Sequence, residues 1–131
     1  MNDPLSMLAE RGLLTDLDLH FARFMNRLAG GGSPELALAA ALASHATGQG
    51  DICVNLRQWA RRWTIMVGET PFVPPPIGDW LGILRASPVV GRPGARQPLI
   101  LDRRGRLYLY RYWEYEHRLA EDLSRRAGEP V

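Results

Sequence analysis

Few residues in this 131-residue chain could do chemistry, and they are scattered. The three histidines, His20, His45 and His117, are far apart, and none sits at i,i+3 or i,i+4 from a ligand pair of the sort zinc sites use. Glu116, His117 and Glu121 can meet on one helix, where a solvated charged face explains them more simply. Cys53, the sole cysteine, could be a thiol nucleophile if a distant His approached it. Within Ile52-Cys53-Val54 it reads instead as a small buried hydrophobe. Asp16 and Asp18 resemble half a metal site, but acids in a helix's first turn are explained by the helix dipole. Glu69 and Asp79 have no acid-base partner within reach by sequence. All 16 basic residues are Arg, so Schiff-base chemistry and the phosphate-binding Lys of a P-loop are excluded. Gly30, Gly31 and Gly32 precede a helix start and could face an anion, although a helix connector is the plainer role. No catalytic, cofactor-binding or metal-binding residue is expected.

Surface residues say more. Tyr108 and Tyr110 are expected to share a strand face with Arg106, as on a platform that stacks bases. Cross-strand packing or docking onto a partner explains the same alternation. Arg57, Arg61 and Arg62 share one side of an expected helix whose other side carries Leu56, Trp59, Ala60 and Trp63. Trp59 and Trp63 at that spacing read as core or interface anchors rather than a base-stacking pair. The candidate partner or DNA surface is therefore Arg57, Arg61, Arg62, Arg106, Tyr108 and Tyr110.

Those residues rest on a succession of elements. Residues 1–12 lack periodicity and are expected to be a flexible N-terminus. Thr15 caps a helix in which Leu17, Phe21, Phe24, Met25 and Leu28 form one apolar stripe, with Asp18, Arg23, Asn26 and Arg27 on the wet side. Ser33-Pro34-Glu35 starts a second helix, apolar nearly all round from Leu36 to Ala46 and hence central. A strand fragment spans Ile52–Val54, and Asn55 caps a third helix. Residues 64–76, rich in Pro and Gly, are expected to be irregular. A short helix covers Ile77–Ala86, Val89-Val90 is extended, and strands at Pro98–Leu101 and Arg106–Tyr110 flank the turn Asp102-Arg103-Arg104-Gly105. In that hairpin a leucine face closes the core and an Arg/Tyr face stays free. Trp113, Glu116, Ala120 and Leu123 mark the inner side of a final helix. The expected fold is mainly α: a small orthogonal helical bundle with a C-terminal β-hairpin, winged-helix-like, and a final helix. It forms one domain over residues 13–126, followed by a tail, 127–131.

Composition agrees with one domain. Apolar residues make up 46% and charged residues 23%, a soluble globular balance. No apolar run approaches a membrane span, no secretion signal opens the chain, and the lone Cys fits a reducing cytoplasm. The net charge of +2 is uneven. Residues 85–126 hold ten Arg against five acids, net +5, which leaves −3 for the rest. That asymmetry fits a polar or polyanionic partner, and a solvated surface explains the same charge more simply.

Four phrases in order, "LDLHFARFM", "PELALAAALASHATGQGDICVNL", "ILRASPVVG" and "PLILDRRGRLYLYRYWEYEHRLA", resemble the N-terminal domain of the exodeoxyribonuclease V alpha subunit, RecD. The likeness covers roughly residues 14–123 and thins between Trp63 and Pro76. It implies an ATP-dependent 5′–3′ helicase subunit working with the beta and gamma subunits in double-strand break repair and recombination. ATP and Mg belong to a downstream motor whose Gly-Lys-Thr loop has no counterpart here. The resemblance therefore implies a non-catalytic domain that packs on the gamma subunit, with DNA met in the context of the complex. The competing reading is a nucleic-acid-binding module that contacts single-stranded DNA.

Overall fold

A computed structural model of the chain describes residues 4–68 and 73–110. Capping chemistry sets where its helices begin. α1, Pro4–Glu10, starts on a proline whose missing N–H needs no partner there. α2, Asp16–Leu28, starts from a reciprocal cap: the Thr15 hydroxyl accepts from the Asp18 N–H at 3.2 Å, and the Thr15 N–H donates to Asp18 Oδ2 at 2.9 Å. Gly30, Gly31 and Gly32 all take positive φ and turn the chain sharply. Asn26 Oδ1 accepts from the Ser33 N–H at 3.1 Å, and Ser33 then caps α3, Pro34–Gly48. Asn55 caps α4, Leu56–Val67, by accepting from the Gln58 N–H at 3.1 Å. α5 is Ile77–Arg85.

α3 is the axis of the molecule. Every residue from Leu36 to Ala43 is buried, as its all-round apolar sequence requires. α1, α2 and α5 pack against it, as do two strands of the sheet. Its alanines let neighbours approach closely, and Ala22 of α2 is fully buried. Trp80 of α5 is fully buried too, and its indole N–H donates to the Glu35 carbonyl at 3.0 Å, tying α5 to the start of α3.

Four short strands form one sheet: β1 (Cys53–Asn55), β2 (Val90–Gly91), β3 (Leu99–Leu101) and β4 (Arg106–Leu109), in the order β1-β4-β3-β2. β3 and β4 are the expected hairpin, with Leu101 opposite Leu107 and Leu99 opposite Leu109. β1 adds antiparallel to β4, and β2 adds parallel to β3. Gly105, at φ 78°, closes the turn as its sequence position requires. The fold is mainly α with a C-terminal hairpin, as expected, and the hairpin is extended to four strands.

Three local expectations are corrected. The N-terminus is not loose across residues 4–10: α1 places Leu5 and Leu8 in the core. The third helix continues through residues 64–67, with non-helical angles at Arg62, and stops at Gly68. The apolar stripe of α2 is the third. Leu17, Phe24 and Leu28 are 74%, 49% and 52% exposed, while Asp18, Ala22 and Met25 face inward. At 100° per residue, the predicted stripe is centred about 90° away from the buried line. The alanines of α3 admit the short Ala22 rather than the bulkier Phe24. The expected final helix and tail lie outside the described residues.

Candidate functional site

Both faces of the hairpin are buried. β4 lies between β1 and β3, so it is an interior strand, not a wing with one wet side. Leu99, Leu101 and Leu107 join the main core, while Ile100 and Tyr108 are buried outside it, as alternate sheet faces require. Tyr108 is 5% exposed and offers no stacking surface, which corrects the free Arg/Tyr face. Burial pushes its phenol up, and neighbouring Cys53 adds to the effect.

Arg106 is occupied locally. Its Nε donates to Asp102 Oδ2 at 2.7 Å, and Asp102 Oδ1 accepts the Arg104 and Arg106 N–H groups, both at 2.9 Å. The Tyr108 hydroxyl approaches Oδ2 at 3.5 Å, the outer limit of a hydrogen bond. Asp102 thus organises the turn, and its hydrogen bond raises the Arg106 guanidinium further. Tyr110 is half-buried, and its N–H donates to the Pro98 carbonyl at 2.9 Å.

The α4 arginines divide. Arg57 reaches the hairpin, where its Nε donates to the Arg104 carbonyl at 3.1 Å. Arg61 and Arg62 are exposed, and among the described residues no hydrogen bond or ion pair joins them to the hairpin. The six predicted surface residues do not form one patch. Trp63 is buried, and its ring centroid lies 6.3 Å from that of Trp59 at a 57° tilt, a packed pair as anticipated.

Sequence reasoning placed Asp18 on the wet side, yet it is 3% exposed. Ser44 Oγ donates to its Oδ1 at 2.6 Å, and His45 Nδ1 lies 3.2 Å from Oδ2. Burial draws the Asp18 carboxyl upward. The Ser44, Thr15 and His45 hydrogen bonds outweigh burial and hold it below its ordinary value. A Ser, a His and an Asp in contact invite comparison with a hydrolytic triad, but the wiring is wrong. The carboxylate sits between the other two, and the Ser hydroxyl donates to Asp rather than to His, so no base activates it. The signal for Asp18 was present in Thr15-x-x-Asp18, a capping-box spacing.

Two surface features frame the hairpin. A groove of about 470 Å³ runs beside the Asp18 network, lined by Leu17, Phe21, Ser44, His45 and, from the open end of the hairpin, Leu109. At the turn end, a cleft of about 450 Å³ is lined by Arg85, Arg92, Pro93, Leu101, Asp102 and Arg103. Among the described residues no group of three or more His, Cys, Asp or Glu could hold a metal ion, and no helix is long and apolar enough to cross a membrane.

The described residues form a small mainly α domain built on an Ala-rich central helix with a four-strand sheet. Residues 10–108 match the family described as RecBCD enzyme subunit RecD, N-terminal domain. The chain belongs to the RecD N-terminal domain family. It is 38% identical over 127 residues to RecBCD enzyme subunit RecD from each of two Mycobacterium tuberculosis strains, covering 92% of this chain and 21% of the relative. It is 36% identical over 112 residues to the protein of that name from Mycolicibacterium smegmatis, covering 85% of this chain and 19% of the relative. The chain thus spans about a fifth of the length of these RecD relatives. The match ends at Tyr108, so α2, the Asp18 network and the cleft at the hairpin turn all fall inside the matched region.

Proposed function

We propose that this RecD N-terminal domain is a non-catalytic docking module that seats its subunit on the gamma subunit of the RecBCD complex. The observation that carries the reading is the exposed side of α2. Leu17, Phe24 and Leu28 stand at i, i+7 and i+11 with 74%, 49% and 52% of their surface exposed, continuous with the groove that begins at Leu17 and Phe21. A contiguous apolar arc on one helix is the signature of a partner surface, unlike apolar residues scattered singly. Arg61, Arg62 and Tyr110 are secondary contact candidates, suited to a polar rim. The whole subunit would then work as an ATP-dependent DNA helicase in double-strand break repair, with ATP and Mg held by its motor rather than by this domain, and with the beta subunit as a further partner in the cytoplasm.

Co-expression with the gamma subunit and affinity capture tests the proposal. The wild-type domain should co-purify, and the pair Leu17→Asp with Phe24→Asp should abolish capture while circular dichroism stays unchanged. Capture that survives the double substitution in a folded domain would move the docking surface elsewhere. No capture of the wild type at micromolar concentration would refute docking on this subunit.

A further inference from the structure

We propose that the cleft at the turn end of the hairpin, lined by Arg85, Arg92 and Arg103, is a phosphate site that holds the backbone of a nucleic-acid strand. Three separate elements deliver its cations. Arg85 comes from the last turn of α5, Arg92 follows β2, and Arg103 sits in the β3–β4 turn. All three are exposed, and none of their guanidinium groups has a hydrogen-bond or ion-pair partner among the described residues. Among the described residues the cleft contains one carboxylate, Asp102, which is 8% exposed and already engaged by two backbone N–H groups and by Arg106. Among the described residues it therefore leaves the three guanidinium groups uncompensated. Like charges brought together in this way repel one another, and an anion between them removes that cost. The guanidinium fork matches a phosphate with two parallel hydrogen bonds.

The charge continues past the cleft. Arg104 follows Arg103 in the turn, and its carbonyl holds Arg57 at 3.1 Å, so the basic surface passes from α5 across the turn to α4. Residues 85–106 contain six Arg against Asp102 alone. A track of this kind suits a chain of phosphates better than a single ion. An acidic protein segment is a poorer fit, because protein interfaces rely on apolar anchors. Here Leu101 is 4% exposed and Pro93 is the one accessible apolar side chain of the lining. No aromatic residue lines the cleft among the described residues, so contact is with the backbone and is indifferent to base sequence.

The site is separate from the proposed docking arc. Leu101 and Leu109 stand at opposite ends of the hairpin, one in each surface feature. The strand site stands or falls independently of gamma-subunit docking.

Fluorescence anisotropy of the 131-residue chain with a labelled oligothymidine tests the proposal. Three phosphate contacts on a single strand predict a slope of log affinity against log salt of about −2, so raising salt from about 50 to about 200 mM should weaken binding about 20-fold. The triple variant Arg85→Ala, Arg92→Ala, Arg103→Ala should weaken low-salt binding by about tenfold or more. The corresponding triple Lys variant, which keeps the charge and loses the fork, should bind more weakly than wild type but clearly more tightly than the triple Ala variant, and that retained binding separates lost charge from lost folding. Arg27→Ala, outside the cleft, and Leu17→Asp, on the docking arc, should leave binding unchanged. No binding at low salt, binding indifferent to salt, or full binding by the folded triple Ala variant would each overturn the site. Displacement of the strand by polyglutamate at matched charge would overturn its assignment to nucleic acid in favour of an acidic protein.

Discussion

Replacing Asp18 with alanine removes several interactions at once. It deletes the N3 acceptor of the α2 capping box and strands the Ser44 hydroxyl and His45 Nδ1 that the carboxylate now satisfies. Loss of a cap costs about 1 kcal/mol. A hydrogen bond to a charged group contributes about 1.5–3 kcal/mol. The two do not add fully, because removing Asp18 also relieves its desolvation, so a net loss of about 3 kcal/mol is expected. Urea unfolding at neutral pH reads it directly. With a slope of about 1.5 kcal/mol per molar, the midpoint should fall by about 2 M. Asp18→Asn, which keeps the shape and one acceptor but not the charge, should lose about half as much. The pH profile supplies an independent check. The folded carboxyl lies below its ordinary value, so its stabilisation is present above the unfolded value of about 4 and is lost as pH falls through the folded value. Wild-type stability should therefore drop below about pH 4 more steeply than that of Asp18→Asn. An alanine variant within about 0.5 kcal/mol of wild type, or parallel acid profiles for wild type and Asp18→Asn, would refute the network's role.

Other substitutions probe the remaining joints. A Cβ at Gly91 would lie 2.3 Å from Gln97 Oε1 and 2.7 Å from Ala95 Cβ, so Gly91→Ala should cost about 1–3 kcal/mol by chemical denaturation. Trp80→Phe keeps most of the buried volume but removes the indole N–H that donates to the Glu35 carbonyl. It should cost about 1–2 kcal/mol in the same assay, against about 3–5 for Trp80→Ala. Leu17→Asp should change unfolding free energy by less than about 0.5 kcal/mol because the side chain is 74% exposed, while capture by the gamma subunit falls by about tenfold or more.

What could be read from the sequence was local. Thr15, Ser33-Pro34 and Asn55 each carry their capping chemistry within three or four residues, and the structure places the three helix starts there. Gly105 closes its turn for an equally local reason. What escaped depended on pairing across long separations. Cys53 lies opposite Tyr108, and this pairing makes β4 an interior strand whose Arg-Tyr alternation no longer signals a wet face. Val90 opposite Leu99 likewise turns an isolated extended pair into a parallel strand. The basic cleft was legible only as a density of Arg; the convergence of Arg85, Arg92 and Arg103 required the fold.

The misjudged stripe of α2 links fold to function most directly. The apolar periodicity of Leu17, Phe21, Phe24 and Leu28 is real, and it was assigned to the core because one helix ordinarily has one apolar face. α3 changes that expectation: its alanines bring α2 close enough for Ala22 and Met25 to complete the contact, and the buried charge of Asp18 is satisfied from α3 itself. Phe21 packs at the edge of the core, and Leu17, Phe24 and Leu28 are surplus to it. Ile52, Ile65 and Val73 are also exposed, but they are dispersed over separate segments, which is ordinary for a protein surface. Leu17, Phe24 and Leu28 instead share one arc of one helix. Contiguity, rather than exposure alone, is what supports the proposed docking at that arc, and the same reasoning separates it from the cleft at the other end of the hairpin, where charge rather than apolar area is left exposed among the described residues.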